Sequence, residues 1–341
     1  MKERAKFSDW LSVDILVVKM SVLSRHVLIT SLVLLSSCFT VDGPSGFSER
    51  VLTLASIDMF SQQETPRTGK SWSGDWQFRR DRLELIDATL RDQRPDILIM
   101  QNAMRRAGSV SESDEMILKS GALNRYDWRD VKLESMNESG EERLLAVAVS
   151  KPLRHMNIPE GVKNYSQFGV DGHMVFYPIE AEGGTILVVD VLMPSRIDQS
   201  GLWYSLLEEK IRAAAKDVNS CIERVVLAGY LPFEQESRRF KDFLSGLGIK
   251  DTGTGFCQSA ERCQTASPEN GIFLMTRGDE SPSQMDRIMT HRHALVLSAG
   301  ANFNRVMDTS EYKESYGLSR VWPSQRYGWI ARVRLPLCPS R

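Results

Sequence analysis

Unbroken apolar runs that end in a polar tip or a turn constrain this chain more than any other feature. They are VLTLASID (51–58), DILIMQ (96–101), LLAVAVS (144–150), TILVVDVL (185–192) and RVVLAG (224–229). Each is rich in β-branched residues and too short for a typical buried helix. None shows the alternation of a strand with one wet face, so the runs read as strands covered on both sides. Further strands are expected at 128–133, 174–179, 271–276, 285–290, 294–298 and 328–335, with Gly183-Gly184 as a hairpin turn into 185–192. Helical spacing appears at 77–94, where Leu83, Ile86 and Leu90 share a face and Pro95 stops the run. Helices are also expected at 112–120, 203–222 and 234–244. Strands outnumber helices, and buried strands need cover on both faces. The expectation is an α/β sandwich: two sheets packed face to face, with helices outside.

The N-terminus reads as an export signal. Residues 27–35 (VLITSLVLL) form an apolar core too short to span a bilayer, with Arg25 and His26 before it. Leu35-Ser36-Ser37-Cys38 follows and resembles the bacterial lipobox, which implies that Cys38 is lipidated and becomes the mature N-terminus. Glu3, Asp9 and Asp14 suit no signal sequence, so Met20 is the expected start. Residues 1–37 are thus expected to be the signal region, 38–48 a lipidated tether, and 49–341 one folded domain. Phe39, where an aspartate would retain the protein at the inner membrane, points to the outer membrane of a bacterial envelope.

Net charge is −1 for the whole chain, and removing residues 1–37 leaves −3. A weakly acidic exported protein presents no clear nucleic-acid surface. In an oxidising compartment Cys221, Cys257, Cys263 and Cys338 can pair. Cys257 and Cys263 flank a polar loop and are candidates for a disulfide, although spacing alone leaves three pairings open. A zinc site is not expected, because no second close Cys or His pair stands nearby.

The strand tips carry a resemblance. The order of motifs over about residues 50–336 resembles the endonuclease/exonuclease/phosphatase superfamily, the DNase I-like fold. In that family the first strand ends in an Asn; here LASID places Asp58 at or beside it. A Pro-Asp-apolar strand ending in Gln-Glu supplies a magnesium ligand; here RPDILIMQN ends in Asn102. The central strand ends in a phosphate-contacting His, where this chain has Leu192. A Gly-Asp-x-Asn tip becomes Gly229-Tyr230-Leu231-Pro232. The later Asp persists as Asp286 in MDRIM. The closing Ser-Asp-His becomes Ser324-Gln325-Arg326.

The resemblance implies a two-sheet fold of the DNase I-like type whose catalytic positions are degenerate: Asp58, Asn102, Leu192, Tyr230, Pro232, Asp286, Gln325 and Arg326. Phosphoester hydrolysis by this family needs a hard cation held by carboxylates and a base to take a proton from water. With Asn, Leu, Tyr, Gln and Arg at those places, no cofactor and no metal are expected. Arg326 is a permanent cation, a candidate anion-binding group and a candidate partner for Asp286 or Asp58. Three functions follow. The first is a non-catalytic envelope lipoprotein with a binding or structural role. The second is a divergent metal-dependent phosphoesterase or nuclease, using Mg²⁺ with ligands from Asp58, Asp190, Asp286 or the His291/His293 pair. The third is a module that binds phosphate or another anion. The expected partners are the membrane, through the lipid, and an unidentified protein or small anionic ligand.

Overall fold

Each apolar run lies in a strand of the computed structural model. The structure describes residues 46–59, 80–106, 123–136, 141–158, 165–168, 172–193, 202–231, 238–257, 263–265, 285–305, 307–308, 320–321 and 327–338. The first half of the chain forms β1 (Leu52–Asp58), α1 (Arg80–Gln93), β2 (Ile97–Arg106), β3 (Tyr126–Met136), β4 (Glu141–Ser150), β5 (Arg154–His155), β6 (Tyr165–Phe168), β7 (Gly172–Ala181) and β8 (Gly184–Leu192). The second half forms α2 (Leu202–Asp217), β9 (Val225–Tyr230), α3 (Arg238–Leu247), β10 (Ile249–Asp251), β11 (Asp286–His291), β12 (Leu295–Asn302), β13 (Met307–Asp308), β14 (Arg320–Val321) and β15 (Gly328–Arg334).

One sheet has the order β12-β15-β1-β2-β4-β3, the other β10-β11-β9-β8-β7-β5, with β6 also on β7. Strands β1 and β2 run parallel, as do β8 and β9; these pairs sit in the middle of the two sheets. Parallel neighbours end together, so the two pairs deliver Asp58 beside Gln101, and Leu192 beside Tyr230. The tips of four central strands therefore meet at one end of the sandwich. We call that end the cleft end and the opposite one the base.

The period-2 pattern sorts side chains into layers. Leu54, Ile99, Val147, Val188 and Ile288 fill the space between the sheets. Ala55, Ile57, Leu98, Met100 and Ala146 face the other way, where Ile86 and Leu90 of α1 cover them. On the far side, Leu207 and Ile211 of α2 and Phe240 and Phe243 of α3 join the core against the second sheet. The result is a four-layered α/β sandwich within the unit Gly46–Arg341.

Several boundaries differ from those expected. The helix expected at 203–222 ends at Asp217. Asn219 takes φ 59, and Ser220 donates its N–H back to Ala215 O at 2.8 Å, a left-handed stop that an Asn tolerates. Residues Ile222–Arg224 form a separate 3₁₀ turn, so β9 starts at Val225 and not at Arg224. The helix expected at 234–244 is seen as Arg238–Leu247. The strand expected at 294–298 continues to Asn302 through a bulge between Val296 and Ser298. The segments 112–120 and 271–276 lie outside the described residues.

Candidate functional site

Asp58, Gln101, Asp190, Leu192, Tyr230 and Asp286 all sit on inward faces at the cleft end. Their strand registers put them there: Asp58 opposite Gln101, Leu192 opposite Tyr230, and Tyr230 opposite Asp286. All six are buried. The motif order predicts that Asp58, Leu192, Tyr230 and Asp286 share one place, and the strand ends do bring them together.

Two amide–carboxylate contacts organise the buried polar layer. Asn102 Nδ2 donates to Asp58 Oδ1 at 2.9 Å. Gln101 Nε2 donates across the sheets to Asp190 Oδ1 at 2.7 Å, and Gln101 Oε1 accepts from Ser56 Oγ at 3.3 Å. Asn102 holds a left-handed backbone, φ 51, where the β2–β4 register shifts between Met100 and Ala103. This bulge breaks the strand's alternation, so two consecutive side chains, Gln101 and Asn102, both reach carboxylates.

Asp190 is completely buried, and its Oδ2 meets no hydrogen-bond partner among the described residues. Burial pushes this carboxyl well above its ordinary 3.8; the Gln101 bond opposes the rise and the Asp58 charge adds to it. Burial therefore favours the protonated form of Asp190 more than in an exposed aspartate, which makes it a poorer ionic ligand. Its signal is present in the sequence. It is the lone charged residue in TILVVDVL, on the same face as Ile186 and Val188, and a core-facing carboxyl requires a partner. That the partner is Gln101 depends on the packing of two sheets, which no local pattern reveals.

Thr265 ties the other side of the cleft together. Its Oγ1 accepts the N–H groups of Met285 (2.8 Å) and Asp286 (2.9 Å). Its carbonyl accepts from Tyr327 N, next in the chain after Arg326, at 2.7 Å. Pro232, Gln325 and Arg326 lie outside the described residues, as does Cys38.

The two histidines expected as alternative ligands are elsewhere. His291 ends β11, five residues beyond Asp286, or about 17 Å at strand rise. His291 Nδ1 accepts from His293 N at 3.4 Å, and His293 Nε2 accepts from Arg292 Nε at 3.2 Å. These lone pairs face N–H donors, and the pair stands at the base, away from the cleft.

Cys257 and Cys263 are joined in a disulfide, and so are Cys221 and Cys338. The second bond links the turn before β9 to the segment after β15.

Comparison with solved structures places this arrangement among two-sheet α/β sandwiches. More specifically, the fold is that of the endonuclease/exonuclease/phosphatase proteins. A protein of that family from Bacteroides thetaiotaomicron superposes with a TM-score of 0.58 at 14% identity, covering 85% of this chain and 96% of its own. Truncated TDP2 from Caenorhabditis elegans gives 0.55 at 13% identity, covering 85% and 100%. The human Nocturnin catalytic domain with bound sulfate gives 0.54 at 12%, covering 86% and 99%. No family model matches the sequence, and no curated protein matches it.

Proposed function

We propose that this chain is a non-catalytic lipoprotein of the bacterial envelope, using the endonuclease/exonuclease/phosphatase fold for binding or for a structural role. The observation that carries the reading is the occupancy of the strand tips. The Asp58 carboxylate is engaged by the Asn102 amide, and the next tips present buried Leu192 and Tyr230. None of these groups can replace an imidazole, and a neutral Asn cannot replace a metal carboxylate.

The donor set is a poor match to magnesium. Mg²⁺ asks for near-octahedral oxygen, usually from one or two carboxylates plus water and phosphate. Gln101 and Asn102 point amide nitrogens at carboxylates, burial raises the Asp190 carboxyl above its ordinary value and so disfavours its ionised form, and Asp286 sits on the opposite sheet from Asp58. No hydrolytic step is derived from such a set. The envelope assignment rests on the Leu35–Cys38 quartet. Among the described residues no helix is long and apolar enough to cross a membrane.

The test is hydrolysis of plasmid DNA and of a chromogenic phosphodiester with Mg²⁺ or Mn²⁺, with and without EDTA. Turnover equal to the protein-free control is expected. Robust, EDTA-sensitive turnover of either substrate overturns the reading. Incorporation of radiolabelled fatty acid, abolished by Cys38→Ser, checks the anchor.

A further inference from the structure

We propose that one corner of the base lies against an anionic lipid surface, so that the domain is held on the bilayer with its cleft facing away. This rests on the lipid-anchor reading above and goes beyond it, because an anchor alone sets no orientation.

The folded unit begins at the base. Phe47 pairs with Pro336, Ser48 N donates to Leu335 O at 3.1 Å, and Leu337 N donates to Gly46 O at 3.1 Å. The first folded residue is therefore fixed beside the end of β15. Eight Cα–Cα steps separate it from Cys38, which reach at most about 28 Å when fully extended. A lipid on Cys38 keeps this end of the domain close to the membrane.

Three of the four large apolar side chains exposed among the described residues lie at the same end; the fourth, Phe256, is in the loop after β10. Phe47 is 47% exposed, Leu295 44% and Leu297 42%. Leu295 pairs with Arg334, and Ser298 with Arg332, so leucine and arginines share the outer face of the sheet. Both arginines are exposed, as is Arg292 in the preceding turn. Helix α1 covers this face nearer the cleft, over Phe303 and Ile330, while Leu295, Arg332 and Arg334 stay exposed.

The sequence of β12, LVLSAGAN, carries no charge. The other edge strand of the sheet, β3, carries Asp127, Arg129, Asp130 and Lys132. Edge strands are normally blunted by charge, and here one edge is blunted while the other is not. Apolar side chains flanked by arginines match the headgroup boundary of an anionic bilayer: the leucines and phenylalanine enter the interface and the guanidinium groups meet phosphates. On the same sheet, Asp96 and Asp127 stand at the base beyond β1 from this corner, and Asp96 is paired with Arg50. Glu180 and Glu182 line a cavity of about 440 Å³ together with Arg154 and the buried Arg224, so they are balanced locally. Glu49 is the exposed acid nearest Phe47 in the chain.

The experiment uses the full, lipidated protein reconstituted into vesicles containing phosphatidylglycerol and a lipid-borne quencher. One variant carries a fluorophore at Leu295→Cys and the other at Asn304→Cys. Asn304 is exposed just past the cleft end of β12, more than about 20 Å further along the strand. Quenching at 295 and not at 304 is expected. The charge reversals Arg332→Glu and Arg334→Glu should abolish it while the protein stays in the vesicle fraction. The contribution of anionic lipid should fall about fivefold per unit of charge, hence about 25-fold for each reversal.

Equal quenching at both positions, or none at either with the protein still vesicle-bound, overturns the proposal. So does self-quenching at 295 that grows with protein density, which would assign the β12 edge to a second copy of the chain. A protein that carries no lipid leaves the vesicle fraction altogether. That result overturns the anchor reading, and the orientation with it.

Discussion

Gln101 and Asp190 join the two sheets at the level of the cleft, amide nitrogen to carboxyl oxygen at 2.7 Å, with both side chains completely buried. The contact closes the top of the inter-sheet layer, with Ser56 donating to the same Gln101. A carboxyl there is tolerable because it can keep its proton and still accept from the amide.

Between the unfolded and the raised native pKa of Asp190, the native protein therefore binds a proton that the unfolded chain has released. The folded value lies above the unfolded one, so stability is highest below about pH 3.8 as far as this group is concerned. It falls as pH rises from there through the native value, and is level above it. Asp190→Asn removes that slope and leaves a protein at least as stable as the parent at pH 7. Urea denaturation of both proteins across pH 4–8 measures this; superimposable pH profiles would show that Asp190 is ionised in the fold.

Gly229 is required by backbone approach, whatever the strand tip does. It holds φ 127, and an added Cβ would stand 2.1 Å from Val191 O on the adjacent parallel strand. Gly229→Ala should cost more than about 3 kcal/mol, since both the conformation and the contact are forbidden. Thermal unfolding reads the loss. A shift of only a degree or two would mean that β8 and β9 can separate there.

Arg287 and Asp251 form a buried ion pair on the outer side of β11, Nη1 to Oδ2 at 2.5 Å. Arg287 Nε also donates to Leu231 O at 3.1 Å, and its guanidinium lies 5.6 Å from the centre of the Phe240 ring. Arg287→Met takes the guanidinium from a buried carboxylate that keeps only neutral donors such as Gly253 N–H at 2.8 Å, and should destabilise by roughly 3–5 kcal/mol. Arg287→Met combined with Asp251→Leu should recover part of that loss. Chemical denaturation of the two variants decides; an equal or greater loss in the double variant overturns the account.

Much of the fold is legible in the order of the motifs, because apolar runs of strand length must be covered on both faces. The meeting of the tips is legible too, since residues that end parallel neighbours lie side by side. Pairing across layers is not. Nothing local in DILIMQN says that Gln101 crosses to Asp190, or that a bulge turns Asn102 towards Asp58. The short strands β5, β6, β10, β13 and β14 have two to four residues each. They offer no period to read; β5, β6 and β10 pair with the longer β7 or β11, and β13 and β14 pair with each other.

The two disulfides should differ in worth by their loops. Cys221–Cys338 closes 117 residues and Cys257–Cys263 only 6. Loop-closure entropy assigns about 5 kcal/mol to the first and about 2 kcal/mol to the second. Cys221→Ser with Cys338→Ser should therefore lower the unfolding midpoint much more than Cys257→Ser with Cys263→Ser. Equal effects would indicate that native-state packing, not chain entropy, sets their value.

The bridge between Phe47 and Pro336 gives the segment 47–336 nearly the topology of a closed ring. Its two extremities could be spliced with a brief linker and the ring reopened at the Gly183-Gly184 turn. Every inter-strand pairing would survive in such a permuted molecule, with new extremities still on the same side as the old ones.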